Sequence, residues 1–158
     1  PVRDRVKDHG FSRLGPQPVR GISSPALSPD GQSVAFVALN DVWVMRIGQA
    51  PVRLTDDTDR DGTPQWTRDG SAVYFSSEKA NGGQLAIDRV DVATRARTRL
   101  GRIAGKSMVT PSLSPTGDRI AYTTLSGQLE IWDIAAKTAR VVAPSLSTQV
   151  STPQWTPD

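Results

Sequence analysis

The stretch Asp57-Thr58-Asp59-Arg60-Asp61-Gly62 sets carboxylates at alternate positions ahead of a glycine, the spacing with which a calcium loop converges its ligands before a sharp turn. The twelfth position, where such a loop needs a bidentate Glu, is Arg68, and Pro64 interrupts the run. Asx turns that cap the backbone therefore account for the stretch better than a cation does. Other chemistry-bearing groups are sparse. There is no Cys, which excludes thiol nucleophiles, disulfides and thiolate metal sites, and His9 is the one histidine. A Ser-His-Asp triad or a His-rich metal cage would have to use that residue, in a polar N-terminal segment far from any patterned core. Ser23-Ser24 and Ser76-Ser77 are hydroxyl pairs without a base nearby in sequence, and hydrogen bonding at strand ends is their expected role. No G-x-S-x-G elbow, glycine-rich phosphate loop or HExxH helix occurs. The expectation for these residues is no catalytic group, no bound cofactor and no metal ligand.

Charge points to no polyanionic partner either. Residues 1–20 carry Arg3, Arg5, Lys7, Arg13 and Arg20 against Asp4 and Asp8, and the rest of the 19 basic and 16 acidic residues balance at 14 each. The net charge of +3 is thus a property of the N-terminal segment. The densest basic run, Arg95, Arg97, Arg99, Arg102 and Lys106, alternates with Thr94, Ala96 and Thr98 and reads as an exposed, charged strand edge in preference to a phosphate site. No apolar run approaches the ~20 residues that cross a bilayer. The first 15 residues lack the apolar core of an intact secretory signal, and the missing initiator Met suggests that a leader or a longer N-terminus was removed.

The elements that would position these groups come in repeats. Pro25-Ala26-Leu27-Ser28-Pro29-Asp30-Gly31 recurs as Pro64-Gln65-Trp66-Thr67-Arg68-Asp69-Gly70 and as Pro111-Ser112-Leu113-Ser114-Pro115-Thr116-Gly117, and a fourth copy begins at Pro153-Gln154-Trp155-Thr156-Pro157-Asp158. Successive leading prolines lie 39, 47 and 42 residues apart, the length of a four-stranded propeller blade. Three residues after each Gly stands a β-branched residue, Val34, Val73 or Ile120, and five after it an aromatic, Phe36, Phe75 or Tyr122. A second apolar strand follows at Val42–Met45, Leu85–Ile87 and Leu129–Trp132, then a third with a basic residue around Arg53, Arg99 and Arg140. Ser/Thr-Pro-Asp-Gly is turn chemistry, because Pro presets φ, Asp bonds its own backbone and Gly accepts a positive φ. Apolar residues on both faces, as in Val34-Ala35-Phe36-Val37, call for sheets covered on both sides, which blade-on-blade stacking supplies. Trp66, Trp155, Leu27 and Leu113 share one repeat position and are expected in the core. The fold predicted is all-β: extended basic residues 1–21, blades over 22–62, 63–109 and 110–151, and the start of a fourth over 152–158.

These residues carry a resemblance. The Pro-x-Trp/Leu-Ser/Thr-Pro-Asp-Gly pattern, the Ile/Val-Ala-Phe/Tyr strand after it and the Leu54-Thr55-Asp56 strand end resemble the WD40-like repeats of TolB-type β-propellers over residues 22–158. True WD40 blades fit less well, since Trp132-Asp133 lacks the Gly-His dipeptide that precedes it there. Blade two departs from the pattern with Arg68 in place of Pro and a longer Lys79–Gly83 loop, which is expected to protrude.

The resemblance implies a six-bladed ring, of which three units and part of a fourth are half. An open wedge leaves two blade faces of ~500 Å² bare, on the order of 12 kcal/mol per face of unrealised burial. The expected partner is thus the remainder of the same polypeptide, as in a truncated chain, or else a second copy. The family likeness implies a non-catalytic module that binds protein or peptide or gates substrate, in a periplasmic or secreted setting. Gly15-Pro16-Gln17-Pro18-Val19-Arg20-Gly21 resembles the lead-in to propellers that precede amidohydrolase domains, making a metal-dependent amidohydrolase the first expectation for a parent protein. A stand-alone periplasmic propeller and a prolyl-oligopeptidase-like peptidase are the alternatives.

Overall fold

The computed structural model describes residues 21–78, 85–102, 108–144 and 152–156. The basic N-terminal segment with His9, the Lys79–Gly83 loop, Lys106 and Pro157-Asp158 lie outside the described residues. Twelve strands form three four-stranded sheets among them: β1 (Ser23–Leu27) to β4 (Val52–Arg53), β5 (Arg60–Trp66) to β8 (Arg97–Arg102), and β9 (Met108–Leu113) to β12 (Thr138–Ala143). Between these ends run β2 (Ser33–Ala38), β3 (Asp41–Arg46), β6 (Ala72–Glu78), β7 (Ala86–Asp91), β10 (Arg119–Thr124) and β11 (Leu129–Asp133). Strand order in each sheet is sequence order, and each neighbouring pair is antiparallel, so each repeat folds as a meander. This is the partial propeller that the repeats predict.

The turn chemistry explains the first hairpin of every sheet. Gly31, Gly70 and Gly117 sit at φ of 69°, 69° and 77°, and each donates its N–H to the carbonyl of Ser28, Thr67 or Ser114 three residues back. The Ser28 hydroxyl donates to Asp30 at 2.5 Å and accepts the N–H of Ser33 at 2.8 Å, and Thr67 with Asp69 repeats the device. In the third turn Thr116 occupies the Asp position, and Asp118, just beyond the glycine, accepts from both Ser114 and Thr116 instead. These hydroxyl bonds hold the carboxyls of Asp30, Asp69 and Asp118 below their ordinary range, Asp69 at about 2.

The leading prolines also leave a mark. A proline has no N–H to give to the ladder, so strands tolerate it at edges and bulges. Pairing slips between Ser23 and Ala26, between Gly62 and Gln65, and opposite Ala121–Thr123, which brackets Pro25, Pro64 and Pro111 in turn.

Packing is sheet against sheet. Ala35, Val42, Val44 and Leu54 of the first sheet meet Val73, Phe75 and Val90 of the second in one core. Ile87 of the second meets Ile120, Tyr122 and Trp132 of the third in another. Residues alternate along β6 and β7, so that Phe75 and Ile87 serve opposite faces and the middle sheet is covered on both sides. Trp132 reaches furthest: a Cβ at Gly101 would lie 2.0 Å from its ring, so the indole fits only over a residue with no side chain. The buried Tyr122 donates its hydroxyl to Glu130 at 2.6 Å, and burial, reinforced by that carboxylate, pushes the phenol well above its usual range.

Candidate functional site

Two places gather polar and aromatic side chains: a groove along the lead-in strands and their turns, and a charge cluster between the first two sheets. The groove, of about 1150 Å³, runs from Pro25 to Trp155. Its walls include Trp66, Trp155 and Tyr74, with Arg68 and Arg89 beside them. Register explains part of this lining, because Gln65 pairs with Tyr74 across β5–β6 and Tyr74 with Arg89 across β6–β7, a row on one face of the second sheet.

The tryptophans are not simple core residues. The Trp66 indole donates to the Ala26 carbonyl at 2.9 Å, and Trp155 to the equivalent Ser112 carbonyl at 3.1 Å. Each is half-buried and clasps the lead-in strand of the repeat before its own. Gln65 works in the other direction: its amide donates to the Pro111 carbonyl at 3.1 Å and accepts the Leu113 N–H at 2.7 Å. Gln-Trp lead-ins thus alternate with Ala-Leu and Ser-Leu lead-ins, and the former supply the side-chain bonds. Leu27, expected in the core, is instead 62% exposed, and Leu113 is half-buried against the second core. Trp66→Phe keeps the ring but leaves the Ala26 carbonyl without its donor. It is expected to lower unfolding free energy by about 1 kcal/mol, measurable by urea titration at unchanged m-value.

The charge cluster holds the calcium-loop-like stretch. The Asp59 N–H donates to Asp57 Oδ1 at 2.8 Å, an Asx turn as the sequence leads one to expect. The same carboxylates also face two arginines from the far edge of the second sheet. Arg97 donates from Nε to Asp88 Oδ2 at 2.7 Å, from Nη1 to Asp57 and from Nη2 to Ser77 Oγ at 2.8 Å, and stands 3.9–4.0 Å from Asp59 and Asp61. Its guanidinium lies 5.1 Å from the Phe75 ring centroid. Arg99 grips both Asp88 oxygens, at 2.9 and 3.0 Å. The reading of this basic run as an exposed edge holds for Arg99, which stays exposed, but not for Arg97, which is half-buried; both reach Asp88, whose side chain is fully buried on the neighbouring strand. No spacing rule marks that partnership in advance.

Burial raises the Asp88 carboxyl, but the hydrogen bonds from Arg99 and Arg97 outweigh it and hold the group below its usual range. Asp61 is the contrasting case. Its side chain is fully buried, neither oxygen has a hydrogen-bond partner, and desolvation lifts it to about 6. The hydroxyls of Thr55 and Ser77 and the charge of Arg97 favour the ionised form, but desolvation outweighs all three. Among the described residues, no group of three or more His, Asp or Glu is arranged to hold a metal. The hydroxyl pair Ser76-Ser77 is engaged, Ser76 accepting from Thr63 at 3.0 Å and Ser77 from Arg97. No described helix is long and apolar enough to cross a membrane.

Comparison with known proteins agrees with the three-sheet arrangement. An uncharacterised protein of Agrobacterium fabrum is 26% identical over 149 aligned residues, covering 83% of this chain and 50% of that protein. TolB of Acinetobacter baumannii superposes with a TM-score of 0.62 at 29% identity, over 77% of this chain and 32% of its own. A puromycin-hydrolysing peptidase of Mycobacterium tuberculosis shares the fold, with a TM-score of 0.62 at 19% identity over 82% of this chain and 22% of its own. The chain thus spans half or less of the length of each of these relatives. The family model described as the TolB beta propeller domain matches residues 18–158, nearly the whole chain, and the protein belongs to that family.

Proposed function

We propose that this propeller domain is a docking module for an extended protein or peptide segment, and that the groove beside Trp66, Tyr74 and Trp155 receives it. The observation that supports this most directly is the composition of the groove: rigid aromatic faces, Pro25, Pro29 and Pro115, and a few polar groups, in a trough long enough to cross several repeats. The carboxylate among the groove's lining residues, Asp69, is engaged by the hydroxyls of Thr67 and Ser71, so binding suits the groove better than chemistry does. A ring completed by further repeats of the same polypeptide, and a periplasmic setting, accompany the reading by family resemblance.

Selection of displayed peptides against the purified chain tests it. Enriched peptides are expected to shift the amide signals of Trp66, Tyr74 and Trp155. They should lose at least tenfold in affinity on Arg68→Glu, an exposed change that leaves the melting temperature in place. Enriched peptides that map away from the groove, or no enrichment at all, would refute the proposal.

A second reading is that the domain gates substrate for a hydrolase on the same polypeptide, with an amidohydrolase as the proposed partner. In its support, the same sheet arrangement occupies about a fifth of the peptidase chain from Mycobacterium tuberculosis.

A further inference from the structure

The junction of the first two sheets contains a carboxyl group that its surroundings do not satisfy. Asp61 opens the second sheet's lead-in strand, and its own N–H donates across the junction to the Asn40 carbonyl at 2.8 Å, so backbone and side chain both belong to the contact between the sheets. Around the carboxyl stand Asp57 and Asp59 from the connecting loop, Asp88 from β7, Arg97 and Arg99 from β8, and the hydroxyls of Thr55 and Ser77. Asp41, tied to Arg53 at 2.6 Å, stands behind Thr55. Four carboxylates therefore share two guanidinium groups. Asp88 takes the best donors of both, Asp57 takes one end of Arg97, and Asp61 is left 4.0 Å from the nearest positive nitrogen with both oxygens unpaired.

A buried carboxylate without donors is costly, whereas a buried carboxylic acid needs only one acceptor. Two acceptors adjoin it: Ser77 Oγ, which already receives Arg97, and Thr55 Oγ1, which receives the Val42 N–H at 2.9 Å. A metal ion would serve less well, because the positive end of Arg97 already faces the cluster.

We propose that Asp61 is the proton-accepting element of a pH-sensitive lock between the first and second sheets, closed when its carboxyl is protonated and donates to Ser77 or Thr55, and loosened when it ionises. The proton comes from solvent and no bond other than O–H changes. The direction follows from linkage. The folded-state value of about 6 lies above the ordinary aspartate value of 3.8, so the carboxyl's contribution is fully present below 3.8 and is lost as pH rises through about 6. The window lies close to neutrality, where ordinary aspartates do not titrate.

Hydrogen exchange at the Asp61 amide reads the lock directly, since that N–H bridges the sheets. After correction for intrinsic exchange, opening is expected to become roughly 25-fold more frequent between pH 4.5 and 7.5, given proton affinities of about 6 when closed and 3.8 when open. Asp61→Asn should abolish that dependence and hold the amide protected at both pH values, while Asp59→Asn should retain it. A carboxyl signal of Asp61 that titrates in the ordinary aspartate range in the unaltered protein overturns the proposal. So does a pH dependence that survives Asp61→Asn, or an Asp61→Asn chain that is unfolded at every pH, because the charge itself would then be holding the junction.

Discussion

Arg97→Met is expected to lower unfolding free energy by about 3 kcal/mol, the low end of what removal of one partner from a buried ion pair costs. The low end applies because Arg99 retains both oxygens of Asp88. What is lost is specific: the bond to Asp57 that ties the connecting loop to the sheet, the donor to Ser77, the cation over Phe75 and the positive charge nearest Asp61. Methionine fills the volume but leaves four carboxylates facing one guanidinium. The loss should therefore shrink as pH falls from 7 to 5, when Asp61 takes up a proton. Chemical denaturation at the two pH values measures both effects. A loss below about 1 kcal/mol would place Arg97 among surface ion pairs of little consequence.

The second large effect concerns the indole over the strand gap. Trp132→Ala removes a side chain that is 3% exposed from the junction of the second and third sheets, and should cost about 3–5 kcal/mol. Gly101→Ala attacks the same contact from below. Its φ is not positive, so the strain is purely steric: the methyl would meet the ring at 2.0 Å and force it out of its packing, at about 1–3 kcal/mol. The two changes should be far from additive, because once Trp132 is gone the methyl has room. A double-mutant cycle by thermal or urea unfolding is expected to show a coupling of at least 1 kcal/mol. Simple additivity would mean that the ring does not rest on Gly101.

Much of the architecture was legible in advance because the repeat writes it several times. Turn residues at fixed offsets specify the first hairpin of each sheet, and the Val-Phe or Ile-Tyr pair after each Gly specifies the buried strand: Val73, Phe75, Ile120 and Tyr122 are all at or below 1% exposure. What the sequence does not show is where a side chain answers to a partner remote in sequence. Arg97 and Arg99 alternate with small polar residues, and Arg99 is as exposed as that pattern implies, yet Asp88 on the adjacent strand receives both and draws Arg97 inward. Trp66 packs against the first core as its column implies, but its indole N–H, like that of Trp155, also makes it a clasp between repeats. The acidic triplet forms an Asx turn at Asp57 and Asp59, as its residue types predict. The burial of Asp61 depended on the neighbouring sheet, and no one-dimensional pattern reports it.

The clasps between repeats have a numerical corollary. Lead-ins come in two kinds in strict rotation, Ala26-Leu27, Gln65-Trp66, Ser112-Leu113 and Gln154-Trp155. A two-colour sequence of this sort meets itself around a circle without a mismatch only when the number of members is even. In a circle of seven, two members of like colour would adjoin: two Gln-Trp lead-ins would place a glutamine and an indole in one seam, or two leucine lead-ins would meet with neither between them. Were the same rotation to continue around a closed ring, parity, a property of the pairing of side chains and not of sheet shape, would favour an even number of members.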